Sequence, residues 1–418
     1  MLENVKCFRR AEIPLDEQMT VVLGENGSGK STVIEALASL NDTALGEGFT
    51  SFPLRHKTKR GRIALYQHGR KSPAANWISS AVQRNNLPED SYVLAYGRYR
   101  RIFLDEEEGA QSTNPAVLLD KMAARAAKDR ATTLNRPDNN LLRDMSRYLI
   151  ALNYGRSSDP RLERVWNRLA EVLPFLDPRL KDLQIIDHRG RTTAAVAHKH
   201  VVLPIDELSD GYQSLLVIIF DLALRFPYLF PSLEDPLQGR AVVAIDEIDL
   251  HLHARWQRTV LTQFLDLFPK TQFIVTTHSA VVVQNAIDTR RKVVTLKEHR
   301  DAVRADVLTP RALRELNGAE VGSVLLEDKL FGVASRYSTE IAAVEQRTDE
   351  LQKRIEESAA TPADYRELKR AVNRMEELAF REDKRRADTS TLAQMTKLES
   401  ALVKDLVEEI KTIKTARS

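Results

Sequence analysis

The sequence has one cysteine, Cys7, in 418 residues, so no internal disulfide framework is possible and a reducing cytoplasm is the expected compartment. It also lacks a long apolar run. The longest, Leu215–Phe220, falls far short of the roughly 20 residues that cross a bilayer, so no membrane partner is expected. The chain opens on an alternating, strand-like pattern, LENVKCFRRAEIPL, in which no signal peptide is read. An excess of one charge is missing too. The 62 Lys and Arg against 59 Asp and Glu leave a net +3, so any nucleic-acid site has to be local rather than global. No repeat or low-complexity segment is found. The composition is that of a soluble globular protein, 43% hydrophobic and 29% charged, long enough for about two or three domains or one domain with large insertions.

One local lack is informative. Residues 51–88 contain eight Lys or Arg and no Asp or Glu, and Arg55, Lys57, Lys59, Arg60 and Arg62 fall within eight positions on an expected loop and strand start. Such an arm can neutralise nucleic-acid phosphates, making DNA a possible partner. It also reads as a solvated basic loop or a surface for an acidic protein.

What is present centres on GENGSGKST, residues 24–32, behind the apolar run Val21–Leu23. This is the phosphate-loop pattern G-x-x-x-x-G-K-[ST]. The glycines let backbone N–H groups close on phosphates, Lys30 adds a cation, and the Ser31 hydroxyl suits Mg²⁺. The helix-forming STVIEALASL that follows aims its positive end at the same anion. Gly24, Glu25, Asn26, Gly27, Ser28, Gly29, Lys30, Ser31 and Thr32 are therefore the expected contacts for ATP, with Mg²⁺ as cofactor.

Three further stretches follow between residues 207 and 280. AVVAIDEIDLHLH (241–253) is a buried strand running into two acids: Asp246 for Mg²⁺ and Glu247 as the general base for an attacking water. QFIVTTHSA (272–280) is another buried strand, ending at His278, and ELSDGYQS (207–214) opens a long apolar helix. Continuous apolar runs of this kind suit parallel strands covered on both faces. His251, His253 and His278 also read as a zinc set, without a cysteine beside them. Ser209 or Asp210 also reads as a helix N-cap. The segment GRYRR (97–101) reads either as a solvated strand end or as a contact to nucleotide or nucleic acid.

The order phosphate loop, LSDGYQ, DE and TTHS resembles the ATP-binding-cassette ATPases, most closely their soluble SMC, Rad50, RecF and OLD-type branch. The resemblance covers roughly residues 1–105 and 200–300. It implies an α/β head with an antiparallel β subdomain, a signature in which Ser209 and Gly211 act on ATP held by a second copy, and His278 as a γ-phosphate sensor. It departs from the family at Ala254 and Ala280, where the family has prolines, and it shows no clear Q-loop glutamine; AYGRYR (95–100) stands there instead. The expected organisation is residues 1–104 and 200–334 as two halves of the head, 105–199 as an inserted helical lobe with short strands returning near Leu183–Ile186 and Val201–Leu203, and 335–418 as a helical, coiled-coil-type region whose last helix is 392–413. The implied function is an ATPase that dimerises, or assembles further, around ATP and controls a DNA-directed process. Stand-alone heads of this kind also resemble the ATPase subunit of Septu-type anti-phage systems, which acts with a separate nuclease or effector. RecF-like DNA repair is the alternative.

Overall fold

Short runs of β-branched and apolar residues, buried on both sides, form the central sheet. The computed structural model describes residues 1–39, 60–66, 73, 75–78, 92–98, 100, 117, 119–120, 145–198, 200–299 and 302–318, with isolated positions from 321 to 374. Two compact units divide the chain, Met1–Gly332 and Val333–Ser418.

In the first unit, strands β1 (Leu2–Val5), β2 (Phe8–Ala11), β4 (Arg62–Leu65) and β5 (Ala75–Ile78) make a four-stranded antiparallel sheet in the order β2-β1-β4-β5. The central sheet has six strands in the order β13 (Ala302–Val307), β12 (Lys292–His299), β3 (Met19–Gly24), β11 (Gln272–Thr277), β10 (Ala241–Ile245) and β6 (Tyr92–Tyr96). From β12 to β6 every pairing is parallel; only the edge strand β13 runs antiparallel.

Alternation along each central strand sends side chains to two separate apolar cores. Val21, Leu94, Tyr96, Val243, Ile245, Phe273 and Val275 point to one, whereas Val22, Val93, Ala95, Ala244 and Ile274 point to the other. Helix α1 (Lys30–Ser39) and the small sheet cover the second face, and the first face receives α4 (Asp210–Leu229). By length and composition α4 could cross a membrane, but 89% of its apolar window is buried inside the protein. Fully burying each of its Leu, Ile and Phe side chains contributes about 1.5–3 kcal/mol, so this helix is a core element.

The segment expected to be a helical lobe is helical only in part. Among its described residues, α2 (Met145–Gly155) and α3 (Pro160–Leu176) are helices. Pro160 stands in the first turn of α3, behind Asp159, whose side chain accepts the Arg161 N–H. From residue 180 the chain is instead strand: β7 (Leu180–His188), β8 (Arg191–His198) and β9 (Val201–Pro204) form an antiparallel sheet. The turn between β7 and β8 is Arg189-Gly190, both at positive φ (55° and 74°), the geometry that a two-residue hairpin requires. β7 and β9 contain the short strands that the sequence predicts near Leu183–Ile186 and Val201–Leu203.

In the second unit, Leu351 and Leu368 are buried, and Arg347–Glu367 and Arg354–Asp364 ion pairs join residues near each. The expected last helix, 392–413, lies outside the described residues, as do Arg55, Lys57 and Lys59 of the basic arm.

Candidate nucleotide site

Parallel pairing decides where the motifs meet. Thr277 of β11 pairs with Leu23 of β3, and Ile245 of β10 pairs with Val275 of β11 on one side and Tyr96 of β6 on the other. The phosphate loop, Thr276-Thr277-His278, Asp246-Glu247 and the end of β6 therefore all emerge at the carboxyl edge of the sheet, where open α/β sheets bind ligands.

The loop after β3 wraps its own lysine: Lys30 Nζ donates to the Gly24 and Glu25 carbonyls, each at 2.8 Å. Burial lowers the Lys30 pKa, opposed by the nearby Asp246, Glu247 and Asp249 carboxylates. Gly29 adopts φ +93°, and a Cβ there would lie 2.5 Å from Cys7 Sγ and 2.7 Å from the Phe8 ring, so residue 29 has to be glycine. Within the loop the buried Ser28 hydroxyl has no hydrogen-bond partner.

Ser31 Oγ donates to Asp246 Oδ2 at 2.7 Å across 215 residues of sequence, and Thr276 Oγ1 donates to Asp246 Oδ1 at 2.6 Å. The Glu247 N–H donates to Thr276 Oγ1 at 2.7 Å, with Glu247 held at φ +49°. A left-handed conformation at a non-glycine residue costs about 1–3 kcal/mol, a strain that clusters at functional sites. Thr277 Oγ1 donates to Asp249 at 2.6 Å, fixing a third acid beside the pair. His278 stands exposed at the strand end; desolvation, and then the Lys30 cation, hold its imidazole below the ordinary value.

A hydroxyl and a carboxylate in contact, behind a helix N-terminus carrying a lysine and an unpartnered buried hydroxyl, fit a Mg²⁺-bound polyphosphate. The sequence matches the family model described as "AAA domain, putative AbiEii toxin, Type IV TA system" over residues 19–284. The chain belongs to this AAA-domain family. It is 41% identical over 98 residues to the retron Vc95 probable ATPase of Vibrio cholerae serotype O1 biovar El Tor, covering 23% of this chain and 19% of that one. It is 26% identical over 324 residues to the Septu protein PtuA of Bacillus mycoides (strain KBAB4), covering 75% of this chain and 40% of that one. The chain thus spans well under half the length of these relatives. Among solved structures, an SMC head bound to the C-winged helix domain of ScpA aligns with 75% of this chain and 98% of its own, at 14% identity and TM-score 0.45.

The LSDGYQ segment of this AAA-domain chain lies among other neighbours. Ser209 occupies the N-cap position of α4 but makes no side-chain capping bond, contrary to the capping role expected for it. Gln213 ties that turn instead, its Nε2 donating to the Asp206 and Leu208 carbonyls at 2.8 and 2.6 Å. Gly211 packs against the loop after β10: a Cβ would fall 2.5 Å from the His251 carbonyl oxygen. Tyr212 packs its ring at a tilt against Trp256, centroids 4.3 Å apart, and donates to Asp177, which Arg179 also grips. The Arg179 and Tyr212 hydrogen bonds hold the Asp177 carboxyl well below its ordinary value, while burial, and then Asp177, push the Tyr212 phenol up to about 12.

The zinc reading fails in this geometry. Among the described residues no three His, Cys, Asp or Glu side chains are grouped to hold a metal, and His253 Nδ1 accepts the Arg255 N–H as a helix cap. Ala254 and Ala280 each occupy the first position of a helix, Ala254–Gln257 and Ala280–Asp288. Proline is favoured there because that N–H needs no partner, and alanine serves as well. Sequence reading missed Thr276 and Thr277, whose signal was the doubled threonine itself. It also left open the role of Arg100, which the structure buries against residues 246 and 247.

Proposed function

We propose that this chain binds Mg²⁺-ATP and hydrolyses it. The observation that carries this reading is the Ser31–Asp246 contact at the mouth of the phosphate loop, with Glu247 next in line. Ser31 and Asp246 would hold Mg²⁺, which supplies charge neutralisation for the phosphates. Loop N–H groups and Lys30 bind and orient the phosphates, Glu247 takes the proton of the attacking water, and His278 senses the γ-phosphate.

Residues 1–104 and 200–334 are read as the head, and its exposed Ser209, with Gly211, is assigned to the ATP of a second copy. In that arrangement two copies sandwich ATP, and hydrolysis loosens them; ATP favours assembly because those contacts exist only in the closed state. Similarity to proteins named for Septu and for retrons supports control of a DNA-directed process in anti-phage defence, with a separate nuclease or effector.

Single-turnover hydrolysis with light scattering tests this. Glu247→Gln should retain ATP binding, lose about 10²- to 10⁴-fold in rate, and gain mass on adding ATP. Adding Ser209→Arg to that variant should leave ATP binding and abolish the gain. A Glu247→Gln rate within a few-fold of wild type removes the base, and an ATP-independent mass removes the sandwich.

A further inference from the structure

Arg100 comes from the GRYRR segment, whose role the sequence left open, and it ends in the interior. It is 4% exposed. Strand β6 stops at Tyr96, whose carbonyl accepts the Asp246 N–H at 2.8 Å. Four residues later, Arg100 Nη2 donates to the Asp246 carbonyl at 2.8 Å and also to the Glu247 carbonyl. Its Nε has no hydrogen-bond partner. Burial lowers the guanidinium pKa to about 10, opposed by the Asp246, Asp249 and Glu247 carboxylates, so the group stays charged at neutral pH.

The two carbonyls that converge on this one nitrogen flank the α-carbon of Glu247, which stands at φ +49°. On the amino side the Glu247 N–H is bonded to Thr276 Oγ1. The backbone on both sides of this α-carbon is therefore tied, whereas the Glu247 carboxylate itself forms no hydrogen bond among the described residues. A purely structural arginine would be expected to satisfy its donors on the core around it. This one spends Nη2 on the main chain of the two acids and leaves its buried Nε unmatched among the described residues.

We infer that Arg100 is a positioning residue for the hydrolytic carboxylate: its grip on the carbonyls of residues 246 and 247 holds Glu247 in the strained turn from which it acts as a base. This rests on the ATPase reading above. A group that acts only by placing another has no effect once that other is gone, and a misplacement of about 1 Å can cost 10²-fold in rate. Lysine, with several donors on one nitrogen but a shorter reach, should reproduce part of the grip; methionine, of similar bulk without donors, should not.

The test measures single-turnover hydrolysis of radiolabelled ATP and, separately, affinity for a non-hydrolysable ATP analogue. Arg100→Met should slow hydrolysis by about 10- to 100-fold with analogue affinity within a few-fold of wild type. Arg100→Lys should recover part of the rate. In a Glu247→Gln background, Arg100→Met should cause no further loss. Parallel loss of rate and affinity, or multiplying losses in the double variant, would overturn the inference. A wild-type protein that hydrolyses ATP, is disabled by Glu247→Gln and is indifferent to Arg100→Met would sink this inference alone; a wild-type protein without hydrolysis would sink the ATPase reading. If Arg100→Met does not fold, Arg100→Lys carries the same comparison: a slower rate at unchanged affinity, absorbed by Glu247→Gln.

Discussion

Two buried aspartates on either side of strand β6 serve opposite ends. Asp221, in the middle of α4, is fully matched: Arg225 Nε donates to both its oxygens at 2.9 Å, and the Tyr96 hydroxyl donates at 2.6 Å. Burial, and then the Asp221 charge, push the Tyr96 phenol well above its ordinary range, so it stays a donor. Asp246, at the sheet edge, has both oxygens bonded as well, but only to the neutral hydroxyls of Ser31 and Thr276. The first carboxylate is gripped directly by a cation from its own helix, one turn away; the second takes its hydrogen bonds from hydroxyls, and the Lys30 and Arg100 cations act on it through space. The direct ion pair suits a structural acid, and the hydroxyl-bonded carboxylate suits the Mg²⁺ role proposed for Asp246.

Breaking each centre should separate these roles. The largest effect is expected at Asp221. Replacing it with Ala leaves Arg225 and Tyr96 buried without it and should cost about 3–5 kcal/mol, read as a lower urea midpoint. Asp246→Asn should leave the urea midpoint near wild type while cutting Mg²⁺-dependent hydrolysis by about 10²-fold or more, since the ligand proposed for the ion is lost. If the two variants behaved alike, the contrast would collapse.

A smaller effect is expected at the signature corner. Asp177→Ala strands the Tyr212 hydroxyl and should cost about 2 kcal/mol. Because the folded-state pKa is depressed, the Asp177 contribution is present above its ordinary value of 3.8 and fades as pH falls below it. The variant should accordingly show a flatter acid limb in a plot of Tm against pH.

The smallest effect is a shift of pH profile. The His278 imidazole is held below its ordinary 6.5, so it is neutral at pH 7 and gains its proton only in more acidic solution. The acid limb of kcat/KM, which reports the free enzyme, should contain a component below pH 6.5 that His278→Gln removes. An unchanged limb in that variant would assign the titration to another group.

Much of the nucleotide edge was legible because its signals are local. Gly29 and Lys30 announce a backbone that only certain residues allow, and the apolar runs at 241–245 and 272–277 announce strands buried on two faces. The antiparallel sheet at residues 180–204 was legible in part: its first and last strands are predicted near Leu183–Ile186 and Val201–Leu203, whereas β8, whose TTAAVAH mixes alanine with β-branched residues, carries no clear strand pattern. Ser209 reads as a cap because serine is common there, yet Gln213 takes over that turn from inside the helix.

By itself the sequence determined that a phosphate loop follows a strand, that two acids and a histidine end other strands, and that their order resembles that of a known ATPase family. Tertiary structure alone decided which of these touch. Placing β11 between β3 and β10 brings Thr276 to Asp246 and Asp246 to Ser31, and placing β6 beside β10 brings Arg100 onto the carbonyls of residues 246 and 247. Partners 30, 215 and 146 positions apart meet through strand order, which depends on how whole strands bury their two faces and leaves no trace in the local pattern around any one of them.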